Sequence, residues 1–153
     1  MARKTFNEKL QDSKDMPKVV EVSDPKAVMR FGGTKMLIAP PLAYNEIMKK
    51  VPWGKVITSD YLRAFLAKKH DADYTCHLTA GIFINIAANA SHERGTDEIP
   101  YWRTLKKDGE LNEKYPGGIE GQKLQLEMEG HTVIQKGKRY FVKDFAEKLY
   151  KLE

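Results

Sequence analysis

Apolar residues recur every three or four positions in three stretches of the chain, and this spacing predicts three α-helices. The first runs from Leu42 to Val51 and ends at Pro52-Trp53-Gly54. The second begins after Thr58 or Ser59, either of which suits an N-cap, and stops near Lys69. The third runs from Thr75 to Ala90 after a short polar turn. The second and third helices therefore form a helix-turn-helix candidate.

The third predicted helix is unusual because residues 77–90 include no Asp, Glu, Lys or Arg and many small side chains. Two interpretations stay open. Either the helix is central in the core, with a buried stripe at Leu78, Ile82 and Ile86, or its backbone presses into a nucleic-acid groove, where small residues allow a close approach. The second interpretation assigns DNA contacts to four residues, Thr79, Ala80, Gly81 and Asn85.

Turn signals divide the last third of the chain into two predicted β-hairpins. The first turns at Lys106-Lys107-Asp108-Gly109, between extended residues 102–105 and 110–111. The second spans residues 131–142, and its tip carries Lys136, Lys138 and Arg139. We expect these three cations to contact DNA phosphates, or to be solvated without a partner.

Two further helices are predicted around the second hairpin. One runs from Ile119 to Glu129 after a Pro-Gly-Gly break, with Leu124 and Met128 facing inward. The other closes the chain as an amphipathic helix, on which the apolar residues are Phe145, Leu149 and Leu152.

The first forty residues read as an N-terminal arm, residues 1–40, that lies on a domain formed by residues 41–153. Thr5 is a candidate N-cap with Glu8 at the capping-box position of a short helix. Residues 16–25 are expected to be an extended linker, and residues 27–30 a brief helix that ends at the glycines Gly32 and Gly33.

Composition favours one folded unit without a cofactor. The chain has 153 residues, 41% of them hydrophobic and 31% charged, and no apolar run is long enough to cross a bilayer. The N-terminal residues show no signal-peptide pattern, so a cytoplasmic location is expected. The single Cys76 lies in no Cys or His spacing typical of a zinc site. No metal, no cofactor and no membrane partner is expected.

Charge distribution favours a polyanionic partner. The formal net charge is +5, and residues 131–153 hold six Lys and Arg against three Asp and Glu. Residues 91–130 hold six such cations against nine acids. The positive potential therefore lies toward the C-terminal end, where a nucleic acid is the expected partner.

Five landmarks occur in order along residues 42–133: Val51-Pro52-Trp53-Gly54-Lys55-Val56-Ile57, the small-residue helix around Ala80-Gly81, Pro100-Tyr101-Trp102-Arg103, Gly117-Gly118 and Glu129-Gly130. Together they resemble the DNA-binding and active-site domain of the methylated-DNA-protein-cysteine methyltransferase family, and more closely its alkyltransferase-like branch. The resemblance implies a fold that is mostly α with small β hairpins (α+β). Its expected form is a winged helix-turn-helix-like domain with the N-terminal arm and the C-terminal helix.

In that family a cysteine thiolate, activated by a histidine and a glutamate, takes an alkyl group from a flipped guanine. Here Tyr101 stands at the cysteine position and Trp102 at the histidine position, so only Glu129 matches. A phenol with a pKa near 10 is largely un-ionised at neutral pH and has no adjacent base. The chain is therefore expected not to be an enzyme, and no catalytic residue is assigned.

The resemblance also implies a binding site. It places Tyr101, Trp102 and Glu129 in a base pocket, with Arg103 among the DNA contacts. Leu78 stands where the family inserts an arginine into the base stack, and Ser59 stands where it has an aromatic residue. A leucine wedge can still part a base step.

Three hypotheses follow. The first is a non-enzymatic alkyltransferase-like protein that binds double-stranded DNA, recognises alkylated guanine and recruits a repair protein. The second is a winged-helix module that has lost damage recognition and binds DNA or a protein through the basic hairpin tip. The third is an enzyme of another kind. Salt-dependent duplex binding separates DNA binders from a protein-only partner.

Overall fold

The computed structural model describes residues 3–153 as helices joined by short strands. The α-helices are α1 (Phe6–Gln11), α2 (Pro25–Phe31), α3 (Pro41–Lys50), α4 (Ser59–Lys69), α5 (His77–Arg94) and α6 (Gly118–Met128). The strands are β1 (Lys18–Glu21), β2 (Lys35–Ile38), β3 (Ile57–Thr58), β4 (Tyr74–Thr75), β5 (Thr104–Leu105), β6 (Val133–Lys136) and β7 (Arg139–Val142). Three 3-10 turns occupy Tyr101–Arg103, Lys107–Gly109 and Phe145–Lys148.

Helix α5 is the centre of the main core and packs against α1, α3 and α4. Its buried face includes Ala80, Ile84, Ala87 and Ala88, each at most 3% exposed. The small alanine side chains let the neighbouring helices approach closely. The predicted buried stripe is wrong at Leu78 and Ile82, which are 68% and 57% exposed because the alanines occupy the core-facing side.

Helix α1 and strand β2, both within the first forty residues, contribute to the same core. The predicted capping box of α1 is confirmed, since Thr5 and Glu8 bond each other's backbone N–H groups. Residues 18–21 are extended as predicted, but they pair with β2 in an antiparallel ladder, and β2 pairs with β4 in parallel. Leu10 and Leu37 are buried in the main core cluster. The domain boundary at residue 40 stays a prediction.

The first predicted hairpin is wrong as a strand pairing. The turn forms, with Asp108 at φ 65° and Gly109 at φ 84°, and the Lys106 N–H donates to the Glu110 carbonyl at 2.8 Å. Strand β5, however, pairs in parallel with β3, because Leu105 is buried in a second cluster with Val56. The second predicted hairpin is confirmed as the antiparallel pair β6 and β7.

The helices flanking that hairpin differ from expectation in detail. Helix α6 lies where it was predicted, but Leu124 and Met128 are 59% and 68% exposed rather than inward-facing. Its buried face carries Gln122 and Leu126. The closing helix is reduced to the 3-10 turn Phe145–Lys148, because the chain then pairs with Val56 through two backbone hydrogen bonds.

Candidate nucleic-acid interface

A cleft opens beside the first turns of α5, where the N-terminus of α4 comes close to it. We call it the α5 cleft, and its volume is about 360 Å³. Ser59 lines it from α4, and Leu78, Gly81 and Asn85 line it from α5. The opposite wall is the loop Asn112–Tyr115. The structure therefore brings together four of the DNA contacts predicted from sequence.

Hydrogen bonds fix the loop wall of the α5 cleft. The Asn112 amide Nδ2 donates to Asn85 Oδ1 at 2.8 Å, and the Asn112 backbone N–H donates to Gln122 Oε1 at 2.7 Å. The Tyr115 hydroxyl donates to the Thr104 carbonyl at 2.8 Å. Sequence reasoning missed Asn112 and Tyr115, although polar residues before Pro-Gly-Gly are typical of an ordered loop. These hydrogen bonds hold the loop wall of the cleft in one conformation.

The α5 side of the cleft presents apolar and small groups. Leu78 is 68% exposed at the mouth of the cleft. A Cβ placed on Gly81 would meet no atom within 4 Å, so the backbone there is open to approach. Thr79 is half-buried, with its hydroxyl oriented toward the Cys76 carbonyl at 3.4 Å. Ala80 is 1% exposed and faces the core, so its side chain is not available to DNA.

The predicted base-pocket residue Glu129 lies in a network of its own. Its carboxylate accepts hydrogen bonds from Trp102 Nε1 at 2.8 Å, from Arg103 Nε and Nη2 at 2.9 and 2.8 Å, and from the Gly54 N–H at 3.1 Å. Arg103 also donates to the Val51 carbonyl at 2.8 Å. The Arg103 and Glu129 side chains are only 13% and 5% exposed. The network ties the 3-10 turn to the end of α6.

Electrostatics keep the Glu129 carboxylate ionised. Burial alone raises the pKa of Glu129, but the hydrogen bonds from Arg103, Trp102 and Gly54, with the arginine charge, bring it below its ordinary value. Both oxygens are engaged by donors, so the carboxylate is a structural acceptor. It is not placed as a free base.

Tyr101 lies one layer behind the α5 cleft. Its ring packs edge-on against Trp102 and Tyr115, with centroids 5.3 and 5.4 Å apart. Tyr115 is the residue of this aromatic group that lines the cleft. Burial, with a smaller contribution from Glu98, raises the pKa of the Tyr101 phenol. The phenol is therefore even less ionised at neutral pH than a free tyrosine.

His131 is a buried residue that sequence reasoning did not single out. It is 8% exposed, and its Nε2 has no hydrogen-bond partner among residues 3–153. Burial lowers the pKa of His131, partly opposed by the nearby Glu129 charge and reinforced by Lys148 and Arg103. Its position two residues after Glu129 is the only sequence signal, and it is a weak one. The imidazole is held in its neutral form near neutral pH.

The basic tip lies on the β6–β7 hairpin, and none of its cations lines the α5 cleft. We call Lys136, Lys138 and Arg139 the hairpin cations, and all three are exposed. Arg139 is committed to a bidentate pair with Glu110, at 2.8 and 3.1 Å. Lys136 Nζ lies 5.4 Å from the Phe141 ring centroid. Lys138 stands at the turn itself, next to Gly137.

Metal and membrane features are absent from the part of the chain that the structure describes. Within residues 3–153, no group of three or more His, Cys, Asp or Glu side chains could hold a metal ion. Over the same residues, no helix combines the length and apolarity needed to span a bilayer. Cys76 is half-buried at the N-cap of α5.

Two solved structures share this fold. One is S. pombe Atl1 in complex with damaged DNA containing O6-carboxymethylguanine, with a TM-score of 0.54, 18% identity, and coverage of 73% of this chain and 94% of that chain. The other is S. pombe ATL in complex with DNA, with a TM-score of 0.51, 17% identity and the same coverage. No family model matches the sequence, and no curated protein matches it. The likeness confirms the predicted α+β, alkyltransferase-like fold.

Proposed function

We propose that the chain is a non-enzymatic, alkyltransferase-like DNA-binding protein that recognises an alkylated base in duplex DNA and acts in DNA repair. The α5 cleft carries the proposal, because it sets a base-sized cavity beside an exposed apolar residue on a helix with small side chains. The shared fold supports it, since both S. pombe structures hold DNA and one of them holds O6-carboxymethylguanine.

The exposed Leu78 supports a wedge mechanism. In this mechanism α5 enters a groove, the Leu78 side chain enters a base step, and the displaced base moves into the α5 cleft. Apolar side chains part base steps in this way at a cost of a few kcal/mol for unstacking. The open backbone at Gly81 lets the helix approach closely. The amides of Asn85 and Asn112, already joined at 2.8 Å, offer polar groups to the edge of the base.

The site chemistry supports binding without alkyl transfer. An attacking phenolate at Tyr101 would need a lowered pKa or an adjacent base. The pKa of Tyr101 is raised instead, and the Glu129 carboxylate is saturated by Trp102, Arg103 and Gly54. We therefore propose that the lesion leaves the cleft unchanged and that a repair protein acts on the marked DNA.

The wedge is tested by comparing two exposed leucines. Leu78→Ala removes the wedge, whereas Leu124→Ala removes a leucine of similar exposure, 59% against 68%, from α6. Fluorescence anisotropy with a duplex carrying one O6-alkylated guanine should show about tenfold weaker binding for Leu78→Ala, which corresponds to a wedge contribution of about 1.4 kcal/mol. Leu124→Ala should bind like the wild type. Equal affinities for both variants would remove Leu78 from the mechanism.

A second candidate function rests on the hairpin cations. Lys136 and Lys138 are exposed and form no salt bridge within residues 3–153. A hairpin of this kind can bind the phosphates of any duplex, or an acidic protein, without reading a lesion. Identical affinity for alkylated and undamaged duplexes, together with a steep salt dependence, would favour this second function.

A further inference from the structure

A second cleft lies at the opposite end of α4 from the α5 cleft, and the proposed DNA function does not use it. It has a volume of about 740 Å³ and runs between α3 and the last turns of α4. Its apolar lining includes Leu42 and Ile47 from α3, Phe65 and Leu66 from α4, and Leu152 near the C-terminus. We call it the α3–α4 groove. The exposed lining is mostly apolar, and concave, mostly apolar surfaces are typical of binding sites.

The groove continues into a smaller cleft of about 270 Å³. The two share Ile47, Lys50, Phe65, Leu152 and Glu153, and the smaller one adds Tyr150 and Lys151. The Leu152 backbone N–H donates to the Tyr61 hydroxyl at 2.8 Å, which fixes the C-terminal segment along this edge. The combined surface is therefore elongated and open, with helices on two sides. Such a shape suits a peptide segment better than a compact small molecule.

The charges around the groove are mostly positive. The four lysines Lys50, Lys68, Lys69 and Lys151 line it, against the two acids Glu46 and Glu153. All four lysines are exposed, and none forms a salt bridge within the described chain. The neighbouring Lys49 differs, since it lies 3.6 Å from Asp97. Lysines stand on both helices, so an occupant with acids on both edges would be complementary.

We propose that the α3–α4 groove docks an acidic amphipathic peptide segment of a partner protein. Apolar side chains of the segment pack on Leu42, Phe65 and Leu152, and its carboxylates face the surrounding lysines. The apolar floor distinguishes this occupant from nucleic acid, which binds mainly through its phosphates.

The groove and the α5 cleft are compatible with simultaneous binding. Ser59 at the start of α4 lines the cleft, and Lys69 at its end lines the groove. Ten residues of helix separate them by about 15 Å along the axis. The docking proposal does not depend on lesion recognition, and each can fail without the other.

Three synthetic peptides of about four helical turns test the chemistry of the occupant. The first places Leu and Phe at i, i+3, i+4 and i+7 with Glu elsewhere, the second replaces Glu by Lys, and the third replaces Leu and Phe by Ser. Fluorescence anisotropy with the full chain should show saturable binding of the first peptide, at least about tenfold tighter than either control. Equal binding of the Glu and Lys peptides, or no binding of the first, would overturn the proposal.

Charge reversal locates the site. Lys68→Glu with Lys69→Glu should weaken binding of the acidic amphipathic peptide about tenfold. Lys14→Glu with Lys26→Glu gives the same change in net charge at exposed positions outside the groove, and should leave binding unchanged. Phe65→Ala should weaken peptide binding because it removes part of the apolar floor of the groove. Circular dichroism and thermal melting check that this variant is folded. If Phe65→Ala is unstable, the double variant Lys68→Glu with Lys69→Glu still tests the site, because both lysines are exposed.

Undamaged duplex DNA is measured on the same variants. Unchanged DNA affinity of Lys68→Glu with Lys69→Glu, alongside lost peptide binding, supports the docking site. A loss of DNA affinity larger than that of the matched control, with peptide binding unchanged, would instead assign these lysines to a phosphate contact.

Discussion

Replacing the buried carboxylate of Glu129 by an amide should destabilise the fold strongly. The Glu129→Gln side chain has nearly the same shape, but it is neutral and offers one acceptor oxygen in place of two. Its NH₂ group would face donors of Trp102 or Arg103, which now lie 2.8 Å from a carboxylate oxygen. The variant therefore loses at least one hydrogen bond and leaves the Arg103 charge, 13% exposed, without its counter-ion.

The expected loss is about 3 kcal/mol in the free energy of unfolding. Breaking a buried ion pair by removing one partner costs roughly 3–5 kcal/mol, because an uncompensated charge remains. The lower end applies here, since Arg103 keeps its bond to the Val51 carbonyl. For a domain of this size the loss corresponds to a decrease in Tm of about 6–12 °C. Urea unfolding followed by circular dichroism measures the first quantity and thermal melting the second.

The stability difference should also depend on pH. The folded-state pKa of Glu129 lies below its ordinary value of 4.5, so the carboxylate stabilises the fold fully above about pH 5. This contribution is lost as pH falls through the folded-state pKa. The gap between wild type and Glu129→Gln should therefore narrow below pH 4.5. The matched control is Glu113→Gln, which breaks the exposed pair with Lys106 and should cost under about 1 kcal/mol. A loss at Glu129 no larger than at Glu113 would refute the buried network.

Three other predictions concern DNA, chemistry and acid stability. Replacing the hairpin cations by alanine should reduce the salt slope of duplex binding by about two units rather than three, because Arg139 is already paired with Glu110; an unchanged slope would place the phosphate contacts elsewhere. Incubation with methylated DNA should leave the intact mass of the protein unchanged, and a stoichiometric methyl group on Tyr101 would contradict the account of its raised pKa. His131→Gln should flatten the loss of stability as pH falls below about 6.5, since the buried imidazole must stay neutral in the fold while the unfolded chain takes up a proton; unfolding curves at pH 5 and 7 measure this, and an unchanged slope would count against it.

Helix positions were predictable from sequence because apolar spacing, caps and breakers agree with one another. Which side of each helix is buried was less predictable. On α5 the hydrophobic side is ambiguous, since alanines and larger residues alternate around it, and packing selects the alanines because they allow closer contact. Leu78 and Ile82 are consequently left exposed.

Helix α6 shows the same limit for a polar residue. Gln122 can be fully buried since its amide accepts a hydrogen bond from the Asn112 N–H and donates one to the Trp102 carbonyl. A polarity pattern assigns a polar residue such as Gln122 to the exposed face of the helix. Leu124 and Met128 were therefore expected on the buried face. Backbone pairing between segments that are far apart in the chain is likewise not predictable from local sequence.

Part of the candidate site followed from sequence and part required the fold. The resemblance placed Trp102 and Glu129 in one pocket, and the indole N–H of Trp102 does donate to the Glu129 carboxylate. The motif also contains Arg103, but only the fold shows that its guanidinium completes the network. The separation of Tyr101 from the α5 cleft by Tyr115 depends on a loop whose path local sequence does not specify.

Lesion preference is the central claim, and one binding comparison tests it. Two duplexes of identical sequence, one with a single O6-alkylated guanine, are titrated with the wild-type chain at two salt concentrations. Lesion recognition predicts at least about tenfold tighter binding to the alkylated duplex at both salts, because the phosphate contribution is common to the two duplexes and cancels in their ratio. A ratio of one at both salts would contradict it and leave only lesion-independent binding.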